Sequence, residues 1–257
     1  MPPPNPTQRF SNRVADYVQY RPDYPPALLA YLTQHCGLTP EDVVADVGSG
    51  TGMLSRHFLE NGNAVYGVEP NPDMGAAAVS LLENYAYFNP IDAPAEATQL
   101  LTDSVDWVVA GQAFHWFNRP VVRTEFERIL KPGGWVALVW NDRLESDPFQ
   151  QAYEQFLLAY ATDYRHINHR HVTPAVLADF FSPNPMRMAT FENSQIFDFE
   201  GLKGRLLSCS YAPTADDPTY AQMIAALRSL FNIHSRGGQL LFRYTTRLYY
   251  AQMAKNA

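Results

Sequence analysis

The stretch VVADVGSGTGMLSRHFL, residues 43–59, puts Gly48, Gly50 and Gly52 into five positions between an apolar strand-like run and a helical pattern. Only residues without a Cβ allow both a tight strand-to-helix bend and close approach of a ligand to the backbone. The N–H groups exposed at the start of the following helix favour an anionic or polar group there. A tight connection with no ligand uses the same residues. Two further features favour a binding site. The spacing is GxGxG with Asp46 two positions ahead, rather than the GxGxxG of pyrophosphate-binding turns. Glu69 closes the next strand run in GVEPN, 19 residues after Gly50, where a carboxylate can accept hydrogen bonds from both hydroxyls of a ribose.

Strand and helix patterns alternate outward from this turn. DVVADV reads as a buried strand, TGMLSRHFLE as a helix with Leu54 and Phe58 on one face, and NAVYGVE as a second strand. Met74, Ala77, Ala78, Leu81 and Leu82 fall on one helical face. A third strand lies near AYFNPID, VDWVVAG is a fourth, and WVALVW a fifth, preceded by a helix bearing Val122, Phe126, Ile129 and Leu130. KPGG is expected to end that helix in a left-handed turn. The pattern predicts an α/β fold: a doubly wound, Rossmann-like, mostly parallel sheet with helices on both faces and a helical cap insertion. A single domain over 1–257 is expected, with its core at about 41–141, the cap at about 147–180, and C-terminal β segments over about 186–253 completing the sheet.

Composition narrows the function classes. The chain has 257 residues, 46% hydrophobic and 13% aromatic, enough for a sizeable core. No apolar run approaches the roughly 18 residues of a membrane span, and MPPPNPTQRF lacks the apolar centre of a signal peptide. A soluble, cytoplasmic protein is expected. Net charge is −7 with no Lys/Arg cluster, which argues against nucleic acid. The expected partner is a small molecule, with no membrane and no nucleic acid, the chain being a monomer or homodimer. Cys36 and Cys209 read as small buried hydrophobes. His166, His169 and His171 lack supporting acidic or cysteine ligands and read as a solvated helix end, so no metal is expected.

ADVGSGTG, GVEPN, SVDWVVAGQAFHWF and LKPGGWVALVW, in this order, resemble the class I S-adenosylmethionine-dependent methyltransferases over roughly residues 10–141. YRPDYP, AFHWF and GLKGRLLSCSY are similar to the type 11-like small-molecule group that includes the trans-aconitate methyltransferase-like proteins. The resemblance implies S-adenosyl-L-methionine as cofactor. It sets Gly48, Ser49, Gly50 and Gly52 against the methionine part, Glu69 at the ribose, and Pro70 and Asn71 beside the adenine, with Asp46 among the cofactor-binding residues. Relatives carry an acidic residue after the third strand, where this chain has Pro94, so the adenine contact falls to backbone near Ala95, to Asp92 or to Glu96. Gln112 and Ala113 match the position facing the cofactor's amino-acid end.

The implied activity is methyl transfer to a small-molecule acceptor, with carboxylated molecules among the candidates. His115, just beyond the fourth strand, is the candidate catalytic residue: an imidazole there can take a proton from a nucleophilic hydroxyl or orient substrate. Structural use by hydrogen bonding to backbone is the alternative. Phe114, Trp116 and Phe117 are candidates for an apolar wall. Tyr20 and Arg21 in YRPDYP could form a lid or a rigid turn, and Arg205 and Tyr211 are further substrate candidates. Two other functions remain open, a nicotinamide-dependent oxidoreductase on a related fold and a noncatalytic cofactor-binding module.

Overall fold

The computed structural model describes residues 13–161, 164 and 172–253. Its sheet has seven strands: β1 (Val43–Val47), β2 (Ala64–Val68), β3 (Phe88–Ile91), β4 (Val105–Gly111), β5 (Leu130–Arg143), β6 (Arg187–Phe197) and β7 (Leu240–Gln252). They lie in the order β3-β2-β1-β4-β5-β7-β6. The first five are parallel, and β7 is antiparallel to both β5 and β6. The central strands are buried on both faces, so β1 and β4 read as apolar runs broken only by Asp46 and Asp106 instead of alternating ones. On one face Leu28 and Leu32 of α2 (Pro26–Cys36) and Leu54 and Phe58 of α3 (Met53–Asn61) pack on Val44 and Trp107. On the other, Val122, Phe126 and Ile129 of α5 (Arg119–Ile129) and Phe180 of α7 (Pro174–Phe181) pack on Ala45, Val108 and Val136. Prolines 26, 72, 120, 148 and 174 stand in the first turns of their helices, where a missing N–H breaks no hydrogen bond. The chain runs outward from β1 to β2 and β3 and then crosses back to β4 on the other side of β1. The carboxyl ends of these strands therefore open a crevice.

A third apolar cluster stands apart from the two sheet faces. It joins Phe149, Tyr153 and Leu157 of α6 (Pro148–Tyr160), Leu202 and Leu206 of α8 (Phe199–Leu207) and Leu227 of α9 (Tyr220–His234) to Phe242 of β7. The N-terminal helix α1 (Val14–Tyr20) rests on α8, and a Cβ at Gly204 would stand 2.1 Å from the Tyr20 ring. The Arg13 guanidinium donates to the carbonyls of Leu207, Cys209 and Ala212, at 2.7 Å each.

Several expectations need correction. The cap has two parts, one following β5 and the other, α8 and α9, inserted between β6 and β7. GLKGRLLS is helical, not β: Asp198 caps α8 by accepting from the Gly201 N–H at 2.7 Å, and Leu202 and Leu206, one turn apart, are buried. KPGG does not end α5; the helix stops at Leu130 in extended geometry, and Gly133, φ +79°, lies in β5 beside a shift in the β4–β5 register. Met74, Ala78 and Leu82 are buried, whereas Leu81 is 49% exposed. Cys209 is buried and Cys36 half-buried. Among the described residues, no helix is long and apolar enough to cross a membrane.

Candidate active site

The glycine turn sits at the carboxyl end of β1 and is tied to the end of β2. The N–H groups of Gly48 and Ser49 both donate to the Val68 carbonyl, at 2.8 and 3.1 Å. The Gly50 N–H donates to Glu69 Oε2 at 2.8 Å, and Glu69 Oε1 accepts the Asn71 N–H at 2.9 Å. Gly48, at φ +70°, admits no side chain, because a Cβ would come within 2.5 Å of Ala113 Cβ. Gly52 is restricted in the same two ways, by φ +78° and by Leu82, which its Cβ would meet at 2.5 Å. Asn71 caps α4 (Pro72–Leu81), its Oδ1 accepting from the N–H groups of Asp73 and Met74.

A cavity of about 360 Å³ opens beside this turn, bounded by Asp46, Gly48, Ser49, Gly50, Gln112, His115 and Trp116 and by Arg21, Arg205 and Tyr211. Several of the residues singled out from sequence lie away from its wall. Gly52, Glu69, Pro70, Asn71, Ala95, Glu96 and Ala113 lie outside the lining, and Tyr20 packs on Gly204. Phe114 is fully buried, its ring 4.6 Å from Phe180, and Phe117 packs against the Gly48 turn, so Trp116 alone of the three aromatics lines the cavity. Glu96 is engaged at the start of α5, accepting the Asn118 N–H at 2.8 Å, while Ala95 is buried and Asp92 exposed. The histidines at 166, 169 and 171 lie outside the described residues, among which no acidic, His or Cys cluster could hold a metal.

Gln112 follows β4 with φ +58°, unusual for a residue with a side chain. Its N–H donates to the Val139 carbonyl at 2.9 Å and its Nε2 to the Asn141 carbonyl at 3.3 Å, which holds the strained turn in place. YRPDYP is a fastened turn. Asn193 donates to the Asp23 carbonyl at 2.7 Å, Asn141 to those of Pro22 and Asp23, and Asp23 itself pairs with Arg56 and His57. Tyr24 is buried against Gly111.

The electrostatics centre on two carboxylates. Burial pushes Asp46 up to about 7; the Ser55 hydroxyl and amide offset part of that, and the Glu69 charge adds to it. Asp46 Oδ2 accepts the Ser55 hydroxyl at 2.6 Å, while its Oδ1, buried, has no hydrogen-bond partner. Glu69 is also raised by burial, against the pull of the Asn71 and Gly50 N–H groups. Trp140 Nε1 on the cavity wall is a second orphaned polar atom. Bare backbone at Gly48 and Gly50, an acceptor at Asp46 and a donor at Trp140 fit a ligand with a polar amino-acid end. Sequence reasoning missed Tyr17, Trp140, Asn141 and Arg143 on this wall. Asn141 and Arg143, which follow WVALVW at a strand's carboxyl end, carried the same positional signal as Gln112.

A parallel sheet with this strand order, a glycine turn after β1 and an acidic residue after β2 defines the class I methyltransferase fold. The comparisons agree. Residues 45–138 match the family described as Methyltransferase domain. An uncharacterized methyltransferase of Schizosaccharomyces pombe is 32% identical over 152 residues, 58% of each chain. One of Mycobacterium tuberculosis is 35% identical over 137 residues, 53% of each. The matched segment thus spans little more than half the length of these curated relatives. A solved structure of a candidate type II methyltransferase from Anaeromyxobacter dehalogenans superposes with a TM-score of 0.67 at 23% identity, covering 92% of this chain and 100% of that one. Haemonchus contortus phosphoethanolamine N-methyltransferase 2, solved with phosphomonomethylethanolamine and S-adenosylhomocysteine, gives 0.57 at 17%, covering 96% and 58%. At these identities the two structures show a shared fold. Residues 45–138 thus match the methyltransferase domain family, and the chain has the class I methyltransferase fold.

Proposed function

We propose that the protein transfers a methyl group from S-adenosylmethionine to a small-molecule acceptor held in the cavity beside the glycine turn. The observation that carries this reading is the junction of the Gly48–Gly50 backbone, Glu69 and the cavity bearing His115. When bound, S-adenosylmethionine supplies an electrophilic methyl group. Gly48, Ser49 and Gly50 offer unobstructed backbone to its amino-acid end, with Asp46 Oδ1 as an acceptor for the ammonium. Glu69 accepts from the ribose hydroxyls. Gln112 and Trp116 fix the approach line of the acceptor, since in-line displacement depends on alignment to within about 3–3.5 Å. His115 lines the cavity, and its imidazole takes the acceptor's proton.

S-adenosylhomocysteine should bind and raise the melting temperature, because a ligand that binds only the native state stabilises it. Calorimetry showing no heat of binding, together with no thermal shift at saturation, would overturn the proposal. NAD should produce neither signal, which separates methyl transfer from hydride transfer.

Glu69→Ala should weaken S-adenosylhomocysteine binding by about 1.5–3 kcal/mol per charge-assisted bond lost. It also strips an acceptor from the Gly50 and Asn71 N–H groups. Glu69→Gln, which keeps one carbonyl for them, should therefore retain the fold while still losing affinity. An unchanged dissociation constant in both variants would place the ribose elsewhere.

A further inference from the structure

Methyl transfer gives no task to three arginines that also line the cavity: Arg21, Arg143 and Arg205. Arg205 projects from α8 and is only 7% exposed. Its Nε donates to the Tyr244 hydroxyl and its Nη1 to Cys209 Sγ, both at 3.1 Å, and it lies over the Phe242 and Tyr244 rings. Among the described residues it has no carboxylate within ion-pair distance. Arg21 has none either; it donates to the Ser208 carbonyl at 3.0 Å, and its buried Nε has no acceptor. Arg143, at the end of β5, pairs with Glu154 and Tyr164, yet its buried Nη1 has no acceptor. The remaining arginine of the wall, Arg247, is matched by Asp142 at 3.2 Å. Glu145 lines the same cavity and is itself engaged.

The three guanidinium groups converge on shared neighbours. Tyr211 and Tyr153 feel the charges of both Arg143 and Arg205, and Cys209 those of Arg21 and Arg205. Burial alone would raise the Cys209 thiol, but the two arginines, with hydrogen bonds from Tyr211 and Arg205, bring it down to about 7. The local field is positive. A buried cation without a counterion is strongly unfavourable, and folding retains one beside a cavity at a stability cost that an anionic ligand would offset. Guanidinium forks match planar or tetrahedral oxyanions in geometry as well as charge.

We propose that the methyl acceptor carries an oxyanion, a carboxylate or a phosphate, and that Arg21, Arg143 and Arg205 bind it. This deepens the methyl-transfer reading and rests on it. The oxyanion anchors the acceptor at the arginines while its nucleophilic atom lies near His115.

The test is calorimetric titration at constant ionic strength with succinate, inorganic phosphate and neutral succinamide, with and without S-adenosylhomocysteine. The wild type should bind at least one of the two anions and not succinamide. Arg21→Met and Arg143→Met should each weaken that binding by about tenfold or more, with S-adenosylhomocysteine affinity unchanged. Arg205→Met should abolish it. If that variant fails to fold, Arg205→Lys, which keeps the charge and loses the fork, should bind more weakly than wild type. Succinate binding alone assigns a carboxylate, and phosphate binding alone a phosphate ester. Failure of both anions to bind, or equal binding in wild type, Arg21→Met and Arg143→Met, would overturn the proposal. Anion binding by a protein that does not bind S-adenosylhomocysteine would instead overturn methyl transfer and leave an anion site.

Discussion

Turnover of His115→Ala should fall by about 10²–10⁴, the range expected for loss of a positioned general base, while S-adenosylhomocysteine affinity stays within a few fold. The reason is topological. β4 pairs with β1 through Val44–Trp107, Ala45–Val108 and Asp46–Val109, so the residues following Gly111 emerge beside the glycine turn. His115 and Trp116, on one short 3₁₀ turn, line the cavity with Gly48 and Ser49. Their rings lie 4.7 Å apart, so removing either disturbs the other. Trp116→Ala should therefore lower turnover as well, through lost positioning. Steady-state kinetics separate the two roles of His115: loss of a base lowers kcat, whereas loss of an orienting contact raises KM. His35→Ala, on the exposed side of α2 and outside the cavity lining, should change neither. Normal activity in both His115→Ala and Trp116→Ala would move the acceptor site away from β4.

The difference between what the sequence revealed and what it hid follows the range of the interactions. The β1 turn was legible because its demand is local: Gly48 needs a positive φ and has Ala113 where its Cβ would be. The parallel core was legible because strands buried on both faces are predominantly apolar instead of alternating. GLKGRLLS was misread because its Leu202 and Leu206 spacing fits a helix packed on a surface invisible in the sequence, the cap cluster built by α6 and α9. The resemblance set Asn71 beside the cofactor's adenine and offered Glu96 as one candidate for the adenine contact. Asn71 caps α4 and Glu96 secures the start of α5, and both uses depend on backbone N–H groups that only the folded chain brings within reach. The arginines come from residues 21, 143 and 205, and their convergence depends on the α1–α8 contact that Tyr20 makes with Gly204. No spacing rule links such positions.

Asp46→Asn should flatten the pH dependence of stability in the ligand-free protein. The Asp46 carboxyl moves from an ordinary value of 3.8 in the unfolded chain to about 7 in the fold, with burial as the largest cause. The folded state then holds its proton more tightly, so stability falls as pH rises from about 4 to 7. The destabilisation is complete above that window and absent below it. At 1.36 kcal/mol per unit, the full effect is on the order of 4 kcal/mol. Asparagine preserves a carbonyl for the Ser55 hydroxyl and carries no charge, so Asp46→Asn should be the more stable protein at pH 8 and match the wild type near pH 4. Glu69 is raised in the same direction, which is why the difference between wild type and variant is the quantity to measure, by urea unfolding across this range. The same charge predicts linkage to the ligand. If Asp46 Oδ1 accepts from an ammonium, as proposed, binding favours the ionised form and must release a proton near neutral pH. Calorimetry of S-adenosylhomocysteine in buffers of different ionisation enthalpy should show that release in the wild type and not in Asp46→Asn. Equal pH slopes in the two proteins would mean that Asp46 is ionised at an ordinary value in the folded chain, and equal proton release would place the ammonium against a different acceptor.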